Sequence, residues 1–231
     1  MRSLWLLLTS AAALALASAA AAAPPVPQGT FEIQFDVNCE GTDLAEVTER
    51  VEIAGSSYRM TETSKGKGLY ALLGTAKRTS RGAIVDGMLQ PAEFADERSG
   101  RDTARAWFDW KAQTLTMQYK GNKAAEPLPA NAQDRLSFLF ALSLVPGKSD
   151  TVSYTIADGK GLSRHLYKLS GPERVRVPAG EFTAIRASRQ GEDRETAELW
   201  LAVERNYIPV RLLVVERDGT RYEQAATRIS P

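Results

Sequence analysis

The side chains that could do chemistry in this chain are few and far apart. There is one histidine, His165, and one cysteine, Cys39. Acid–base catalysis at His165 would need a positioned partner, and no motif around it supplies one. We therefore predict that His165 is a packed or surface side chain. We predict that Cys39, which lies near a strand end and has no second cysteine to pair with, is a buried or tolerated thiol.

Acidic side chains that are close in sequence do not improve the case for catalysis. Asp86 with Glu93, and Glu192 with Asp193 and Glu195, are the candidate carboxylate groups. Both groups fall where turns and a solvated face are predicted. One histidine and one distant cysteine do not give the ligand spacing of a zinc site. A P-loop, a dinucleotide fingerprint and a G-x-S-x-G elbow are also missing, so we predict no metal, no cofactor, no catalytic residues and no enzymatic activity.

Apolar side chains on one predicted hairpin and one predicted helix are better candidates for binding. The hairpin pairs residues 101–110 with residues 114–119, and the helix covers residues 132–145. Two interpretations stay open, because these side chains could form core beneath the helix or line an apolar ligand cavity with the helix as its plug or lid. The residues of the ligand-binding hypothesis are Phe108, Trp110, Met117, Tyr119, Phe138 and Leu142.

Trp107 lies on the polar face of the same hairpin, beside Arg105 and Asp109. A tryptophan in such a place covers a sheet edge, marks a second buried face or contacts a partner protein. We keep Trp107 as the candidate for partner contact.

Composition excludes some partners. The chain has 231 residues and a net charge of +1, with 43% hydrophobic and 25% charged residues. These values are ordinary for a globular protein. Without a basic excess or a polybasic block, we predict no nucleic-acid partner and no electrostatic attraction to an anionic membrane.

The N-terminus, residues 1–23, has the layout of a secretory signal peptide. A short positive start precedes an uncharged apolar core at residues 4–17, and small Ala-rich residues follow. Cleavage is expected after Ala21 or Ala23, and Ala21 is favoured because Pro24 would directly follow the second site. The alternative is a retained membrane anchor, since the apolar segment is just long enough to span.

Cleavage would leave residues 24–29 as an extended Pro-rich lead-in and residues 30–231 as a single all-β domain. We expect no transmembrane span after cleavage. Lipid anchoring needs a cysteine at the end of the apolar core, and Cys39 is too far away. These features predict a periplasmic protein that is not a lipoprotein.

Alternation of apolar and polar residues predicts a mainly β fold. Thr30–Asn38 alternates without a fault, and similar segments recur at the short spacing of a sandwich or barrel. We expect about ten to twelve strands in a single curved antiparallel sheet, or an open or flattened β-barrel. The buried helix at residues 132–145 is capped in this prediction by Asn131 and stopped by Pro146.

Three consecutive strands are predicted between Glu198 and Arg228. An Asp218-Gly219 turn of two residues would place Glu216 opposite Arg221. Both faces of residues 210–215 are apolar, so we expect this strand to be central and to lie beneath the helix.

Several motifs resemble the exported proteobacterial domain of unknown function 3108 family in order and spacing over nearly the whole mature chain. They are Ser80-Arg81-Gly82, Gly87-Met88-Leu89-Gln90-Pro91 with Phe94, Phe108-Asp109, Leu128-Pro129, Gln133-Asp134-Arg135-Leu136-Ser137, Val177-Pro178-Ala179-Gly180-Glu181-Phe182, Leu199-Trp200-Leu201-Ala202 and Tyr207-Ile208-Pro209-Val210-Arg211. Members commonly have Leu where this chain has Met88.

The resemblance implies an envelope protein with no established activity and supplies no catalytic residues. It also implies a curved antiparallel sheet similar to outer-membrane lipoprotein carriers and capsule-associated envelope lipoproteins. Our leading hypothesis is a non-catalytic binding or carrier module for an apolar ligand, such as a lipid acyl chain or a lipidated partner. An envelope assembly or scaffold protein that acts through protein contacts is the alternative, and a hydrolase is the second alternative.

Overall fold

The structure is a computed structural model that describes residues 26–191 and 195–231. The predicted signal peptide, residues 1–23, lies outside the described residues. The described chain forms fifteen strands and one α-helix, α1, which spans Ser137–Ser143. The strands are Gly29–Cys39 (β1), Thr42–Ala54 (β2), Ser57–Gly66 (β3), Thr75–Val85 (β4), Met88–Arg98 (β5), Ala104–Asp109 (β6), Thr114–Tyr119 (β7), Asn122–Pro127 (β8), Ala132–Asp134 (β9), Thr151–Ala157 (β10), Leu162–Val177 (β11), Gly180–Gln190 (β12), Thr196–Ala202 (β13), Ile208–Val215 (β14) and Arg221–Ser230 (β15). Short 3-10 helices span Gly68–Leu73 and Val203–Arg205.

All fifteen strands belong to one open sheet in the order β8-β7-β6-β5-β4-β3-β2-β1-β15-β14-β13-β12-β11-β10-β9. The prediction of a mainly β, open, curved sheet with one buried helix is confirmed. The predicted number of strands, about ten to twelve, was too low. Strands that are neighbours in sequence pair with each other because their connections are short, except β8 and β9, which form the two edges of the sheet, and β1 pairs with β15 to join the two halves.

The sheet curls so that its β9 edge lies over the face of β4 and β5. Gln133 Nε2 donates to the Leu89 carbonyl at 2.8 Å, and Ser80 Oγ donates to Asp134 Oδ2 at 2.5 Å. The turn after β10 reaches β6, where a Cβ on Gly159 would lie 2.6 Å from the Arg105 backbone nitrogen. Side-chain contacts and close packing, rather than a backbone ladder, therefore hold this edge against β4, β5 and β6.

The helix is shorter than predicted, and its start differs. Residues 132–134 form β9, which pairs in parallel with β10, so the sheet is not wholly antiparallel. Asn131 does not cap the helix, because its side chain donates to the Ser153 carbonyl at 2.8 Å. Asp134 takes that role, since its Oδ1 accepts the backbone N–H groups of Leu136 at 2.8 Å and Ser137 at 2.7 Å.

Helix α1 is buried between two apolar clusters. Phe140 and Ala141 belong to the larger cluster, together with β1–β7 residues such as Phe94 and Phe108. Leu142 belongs to the smaller one, formed mainly by β11–β13 residues such as Tyr167. The helix contacts β14, as predicted from the apolar residues on both faces of that strand.

The last hairpin differs by one residue from the predicted register. Val215 pairs with Arg221, so Glu216 lies in the turn and not opposite Arg221. The Glu216 N–H donates to the Thr220 carbonyl at 2.9 Å, and Asp218 Oδ1 accepts from the Thr220 N–H at 2.9 Å. The connection is therefore longer than the predicted turn of two residues.

Candidate functional site

A cavity of about 440 Å³ lies where the start of α1 faces the concave side of the sheet. We call it the start cavity. Its walls come from the α1 segment and from strands on both halves of the sheet. Its lining residues are Glu62, Arg78, Arg135, Phe138, Leu139, Ile156, Asp158, Ser163, His165, Tyr167, Arg189, Glu195, Ala197, Leu212, Val214 and Gln224. The cavity thus combines an apolar wall with several charged groups.

A row of charged side chains crosses the concave face into the start cavity. The ladder places Glu49 opposite Glu62, Glu62 opposite Arg78, and Arg78 opposite Asp96. Arg78 Nη1 donates to Glu62 Oε1 at 2.6 Å and forms a 3.5 Å ion pair with Asp96. Arg98 also donates to Asp96, at 3.0 and 2.9 Å. Four strands therefore carry a continuous charged row inside the curled sheet, where unpaired charge is costly.

Glu49 ends this row, and no described residue forms an ion pair with it. Burial, and then the negative charge of Glu62, raise the pKa of Glu49 to about 8. Gln224 Nε2 donates to Glu49 Oε1 at 3.5 Å, a long contact that offsets only part of this effect. Near neutral pH the Glu49 carboxyl therefore holds its proton in the folded protein.

Arg135 is the cation of the start cavity that lacks a partner among the described residues. Arg78 pairs with Glu62, and Arg189 Nη1 pairs with Glu195 Oε1 at 2.6 Å. Arg135 forms no side-chain hydrogen bond or ion pair with any residue that the structure describes. Its side chain keeps solvent-exposed surface. Burial and the nearby Arg78 charge lower the pKa of Arg135, which still leaves the guanidinium charged at neutral pH.

His165 lines the same cavity, half-buried between two aromatic rings. Its ring centroid is 6.4 Å from that of Phe138 and 6.2 Å from that of Tyr167. Burial, and then the positive charge of Arg189, lower the pKa of His165 to about 4, so the imidazole is neutral near pH 7. His165 Nδ1 is enclosed and has no hydrogen-bond partner within the described part of the chain.

A second cavity, of about 290 Å³, lies at the end of α1, and we call it the end cavity. Its walls are more apolar than those of the start cavity, and Lys148 lies at its margin. Its lining residues are Met88, Leu89, Gln90, Trp110, Ala130, Asn131, Gln133, Ala141, Leu144, Val145, Lys148, Ser149, Thr151, Val152, Ser153 and Tyr154. The helix therefore separates two cavities, one at each of its ends.

The six predicted ligand-binding residues do not line a common cavity. Phe108 and Met117 are buried in the larger apolar cluster, and Leu142 is fully buried in the smaller one. These three side chains are core, in agreement with the alternative that the sequence left open. The hairpin side chains beneath the helix are packed into the core, so they do not line a cavity.

The other three candidates lie in three different places. Phe138 lines the start cavity and stacks on Tyr167 with centroids 6.3 Å apart. Trp110 lines the end cavity, and its Nε1 donates to the Pro91 carbonyl at 2.6 Å. Tyr119 is half-buried beside Lys160, whose Nζ is 4.9 Å from the ring centroid. Only Phe138 shares a cavity with the charged groups described above.

The role of Trp107 in partner contact and the role of Cys39 as a buried or tolerated thiol stay predictions. Trp107 is half-buried on β6, and Nζ of Lys123, on β8 two strands away, lies 5.7 Å from its ring centroid. Cys39 is a half-buried free thiol at the end of β1, opposite Tyr222.

The candidate carboxylates that the structure describes, Asp86, Glu93 and Glu195, are not paired with one another. Glu93 accepts from Arg81 at 2.9 Å, and Asp86 lies in the turn between β4 and β5. Glu195 binds Arg189, while Glu192 and Asp193 lie outside the described residues. Among the residues that the structure describes, no group of three or more His, Cys, Asp and Glu side chains could hold a metal ion.

Comparison with known families gives one result. Residues 30–225 match the model of a family described as a protein of unknown function, DUF3108. The chain belongs to this family. The family match confirms the resemblance that the sequence motifs indicated. A search of curated proteins found no match.

Motif residues of the DUF3108 family mainly hold the fold together in this chain. Ser80, Gln133 and Asp134 make the side-chain contacts that bind the β9 edge to β4 and β5. Gly82 is needed because a Cβ there would lie 2.1 Å from the Gln90 carbonyl oxygen. Arg135 differs from these residues, because it lies within the Gln133–Ser137 motif yet lines the start cavity.

Sequence reasoning missed the charged row and Arg135. The row had a signal, since Glu49 and Glu62 occupy inward positions on strands that otherwise alternate regularly. Arg135 had no signal, because it was placed on a helix that begins two residues later. Its position in a cavity depends on how the sheet curls.

Proposed function

We propose that this protein is a non-catalytic binding or carrier module that takes a small apolar or amphipathic molecule into the start cavity. The observation that carries the proposal is the cavity itself. Its volume of about 440 Å³ falls within the range of about 300–1,000 Å³ typical of small-molecule sites. Phe138, Leu139, Leu212 and Val214 supply an apolar wall, and charged and polar side chains line the rest of the cavity.

The position of the cavity supports binding rather than simple packing. The cavity lies between the sheet and the helix, and these two walls differ in how firmly they are attached to the rest of the protein. The sheet side belongs to strands paired on both sides, such as β13 and β14. The helix side is a single short element, Ser137–Ser143, at the end of a strand of three residues. A small displacement of the helix would open the cavity without breaking a central strand pair.

Binding of an apolar fluorescent probe, N-phenyl-1-naphthylamine, tests the proposal. Ala197 is buried on β13 and lines the start cavity, while the adjacent Thr196 is exposed. We expect saturable binding to the wild-type protein. Ala197→Phe fills the cavity and should weaken binding at least about tenfold, whereas Thr196→Phe should bind like wild type. Thermal melting of both variants checks that they are folded.

Two results would contradict the proposal. One is the lack of saturable probe binding to the wild-type protein. The other is equal binding by Ala197→Phe and Thr196→Phe, which would place the probe elsewhere. Val152→Phe, which narrows the end cavity, locates the probe in that case.

We further propose that the protein is exported and acts in the periplasm. The layout of residues 1–23 supports export. Within the described residues, no helix is long and apolar enough to cross a membrane. Intact-mass measurement of protein recovered from a periplasmic fraction tests this proposal. A mass matching a chain that begins at Ala22 is expected, and recovery of only the full-length chain with membranes would contradict it.

A further inference from the structure

We propose that the ligand of the start cavity is an amphiphile whose anionic group, a carboxylate or a phosphate ester, pairs with Arg135. This inference rests on the proposed function and adds the chemistry of the ligand's polar end. It follows from three features of the cavity: the guanidinium of Arg135, the enclosed Nδ1 of His165 and an adjoining apolar wall.

The first feature is the guanidinium of Arg135. Two other arginines line the cavity, and each has a carboxylate partner, Glu62 for Arg78 and Glu195 for Arg189. Arg135 has no hydrogen-bond or ion-pair partner among the described residues. A planar guanidinium offers paired N–H donors that match the oxygens of a carboxylate or phosphate. Arg135 is therefore the cation of the cavity whose donors are available to a ligand.

The role of Arg135 differs from that of its neighbours along the chain. Gln133 and Asp134 are buried and hydrogen-bonded, and Leu136 and Ser137 are buried at the helix start. Those four side chains hold β9 and α1 in place. The Arg135 side chain forms no hydrogen bond or ion pair with the described residues that would help to hold β9 and α1. Stabilisation of the fold therefore does not explain why an arginine stands at this position.

The second feature is His165 Nδ1, an enclosed nitrogen without a partner in the described chain. Arg135 and His165 line the same cavity. A neutral imidazole that carries its proton on Nδ1 is a donor without an acceptor, and a small rotation of the ring would bring this donor to an anion held by Arg135.

The remaining charge of the cavity lies on Asp158. Its Oδ1 accepts the backbone N–H groups of Lys160 at 2.9 Å and Gly161 at 3.0 Å. Asp158 attracts Arg135 electrostatically, but the two form no ion pair. The turn thus occupies this carboxylate, and the donors of Arg135 stay open.

The third feature is the apolar wall, which a free anion would not fill. Phe138, Leu139, Leu212 and Val214 line the same cavity as Arg135 and His165. An apolar chain attached to the anion would bury these surfaces, with about fourfold tighter binding for each buried CH₂ group. The combination of charged end and apolar wall therefore fits an amphiphile better than acetate or inorganic phosphate.

Isothermal titration calorimetry with a matched series of probes tests the inference. The series contains decanoate, decyl phosphate, decanol, acetate and inorganic phosphate, each titrated into the folded full-length mature protein. We expect decanoate or decyl phosphate to bind at least about tenfold more tightly than decanol. Acetate and inorganic phosphate should bind far more weakly than the ten-carbon probes. The two ten-carbon acids show which anion the site prefers.

Arg135→Gln should remove the difference between the acid and the alcohol. The matched control is Arg59→Gln, which removes an equal charge from an exposed position on β3, between the buried Tyr58 and Met60. That control should keep the wild-type preference. Thermal melting checks that both variants are folded. We expect them to fold because neither side chain forms a hydrogen bond or ion pair with a described residue.

The possible failures are distinguishable. Equal affinity of the wild-type protein for decanoate, decyl phosphate and decanol would overturn the inference but leave the proposed function standing. Binding of no ten-carbon probe would contradict both. If acetate or inorganic phosphate binds as tightly as the long-chain acids, the inference that the ligand is an amphiphile is overturned. An equal loss in Arg135→Gln and Arg59→Gln would overturn the role of Arg135.

Discussion

Ser80 Oγ donates a hydrogen bond to Asp134 Oδ2 at 2.5 Å, which joins two residues that are 54 positions apart. The other oxygen of the same carboxylate accepts the backbone N–H groups of Leu136 and Ser137. Burial raises the pKa of Asp134 to about 6 even though these hydrogen bonds oppose the shift. One fully buried carboxylate therefore fixes both the helix start and the curled edge of the sheet.

Removal of this carboxylate should loosen both elements at once. We expect Asp134→Ala to lower the free energy of unfolding by about 2–4 kcal/mol, because the helix-start N–H groups and Ser80 lose their buried partner. Asp102→Ala, at an exposed position, should change it by less than about 0.5 kcal/mol. Urea unfolding measures both. Equal stability of the two variants would show that Asp134 does not hold the fold together.

Glu49 should make the protein less stable as the pH rises. The pKa of Glu49 is about 8 in the folded protein and 4.5 as the ordinary value, so the folded state binds more protons between these limits. Stability therefore falls as the pH rises through this window, with a slope that approaches about 1.4 kcal/mol per pH unit. Glu49→Gln cannot lose a proton and should be more stable than wild type by roughly 4 kcal/mol at pH 8, the sum of that slope over the window.

Denaturant unfolding across the pH range checks the effect of Glu49. The exposed Glu46 lies on the same strand, and Glu46→Gln is the matched control. If the plots of unfolding free energy against pH are parallel for Glu49→Gln and wild type, Glu49 ionises normally in the folded protein.

His165 should titrate far below the ordinary range. Because it is the only histidine, its ring protons give a single set of NMR signals. We expect a midpoint near pH 4 in the folded protein instead of the ordinary 6.5. The unfolded chain takes up a proton below pH 6.5 that the folded chain refuses, so stability falls as the pH drops from 6.5 to about 4. A midpoint close to 6.5 would show that the ring is not enclosed.

Leu142 should behave as core and not as part of the ligand site. Leu142 is fully buried, whereas Leu166 is 44% exposed. Leu142→Ala should cost about 2–5 kcal/mol of stability, and Leu166→Ala less than about 0.5 kcal/mol. Probe binding by folded Leu142→Ala should stay close to wild type. A selective loss of binding with unchanged stability would return Leu142 to the ligand site.

The architecture was predictable where strands alternate clearly. Thr30–Asn38 shows one wet face and one dry face, and that pattern carries the fold class. Asn122–Pro127 was missed because every residue of this edge strand is exposed and no alternation marks it. Ala132–Asp134 was absorbed into the predicted helix, because three buried residues are too few to show a period.

The candidate site was less predictable, because it depends on contacts between distant strands. The sequence shows that Glu49 and Glu62 face inward, and register alone places them opposite each other. It does not show that Arg135 and His165 meet in one cavity, since that requires the β9 edge to fold over the sheet. Phe138 was the predicted ligand residue that came to lie in this cavity.

The most direct measurement of ligand location is a set of intermolecular NOEs between bound decanoate and ¹³C-labelled methyl groups of the protein. We expect NOEs from the alkyl chain to Leu212 and Val214, which line the start cavity. These methyl groups are distinct from those of Leu144 and Val152, which line the end cavity. NOEs confined to Leu144 and Val152, or no intermolecular NOE at saturating decanoate, would contradict binding in the start cavity.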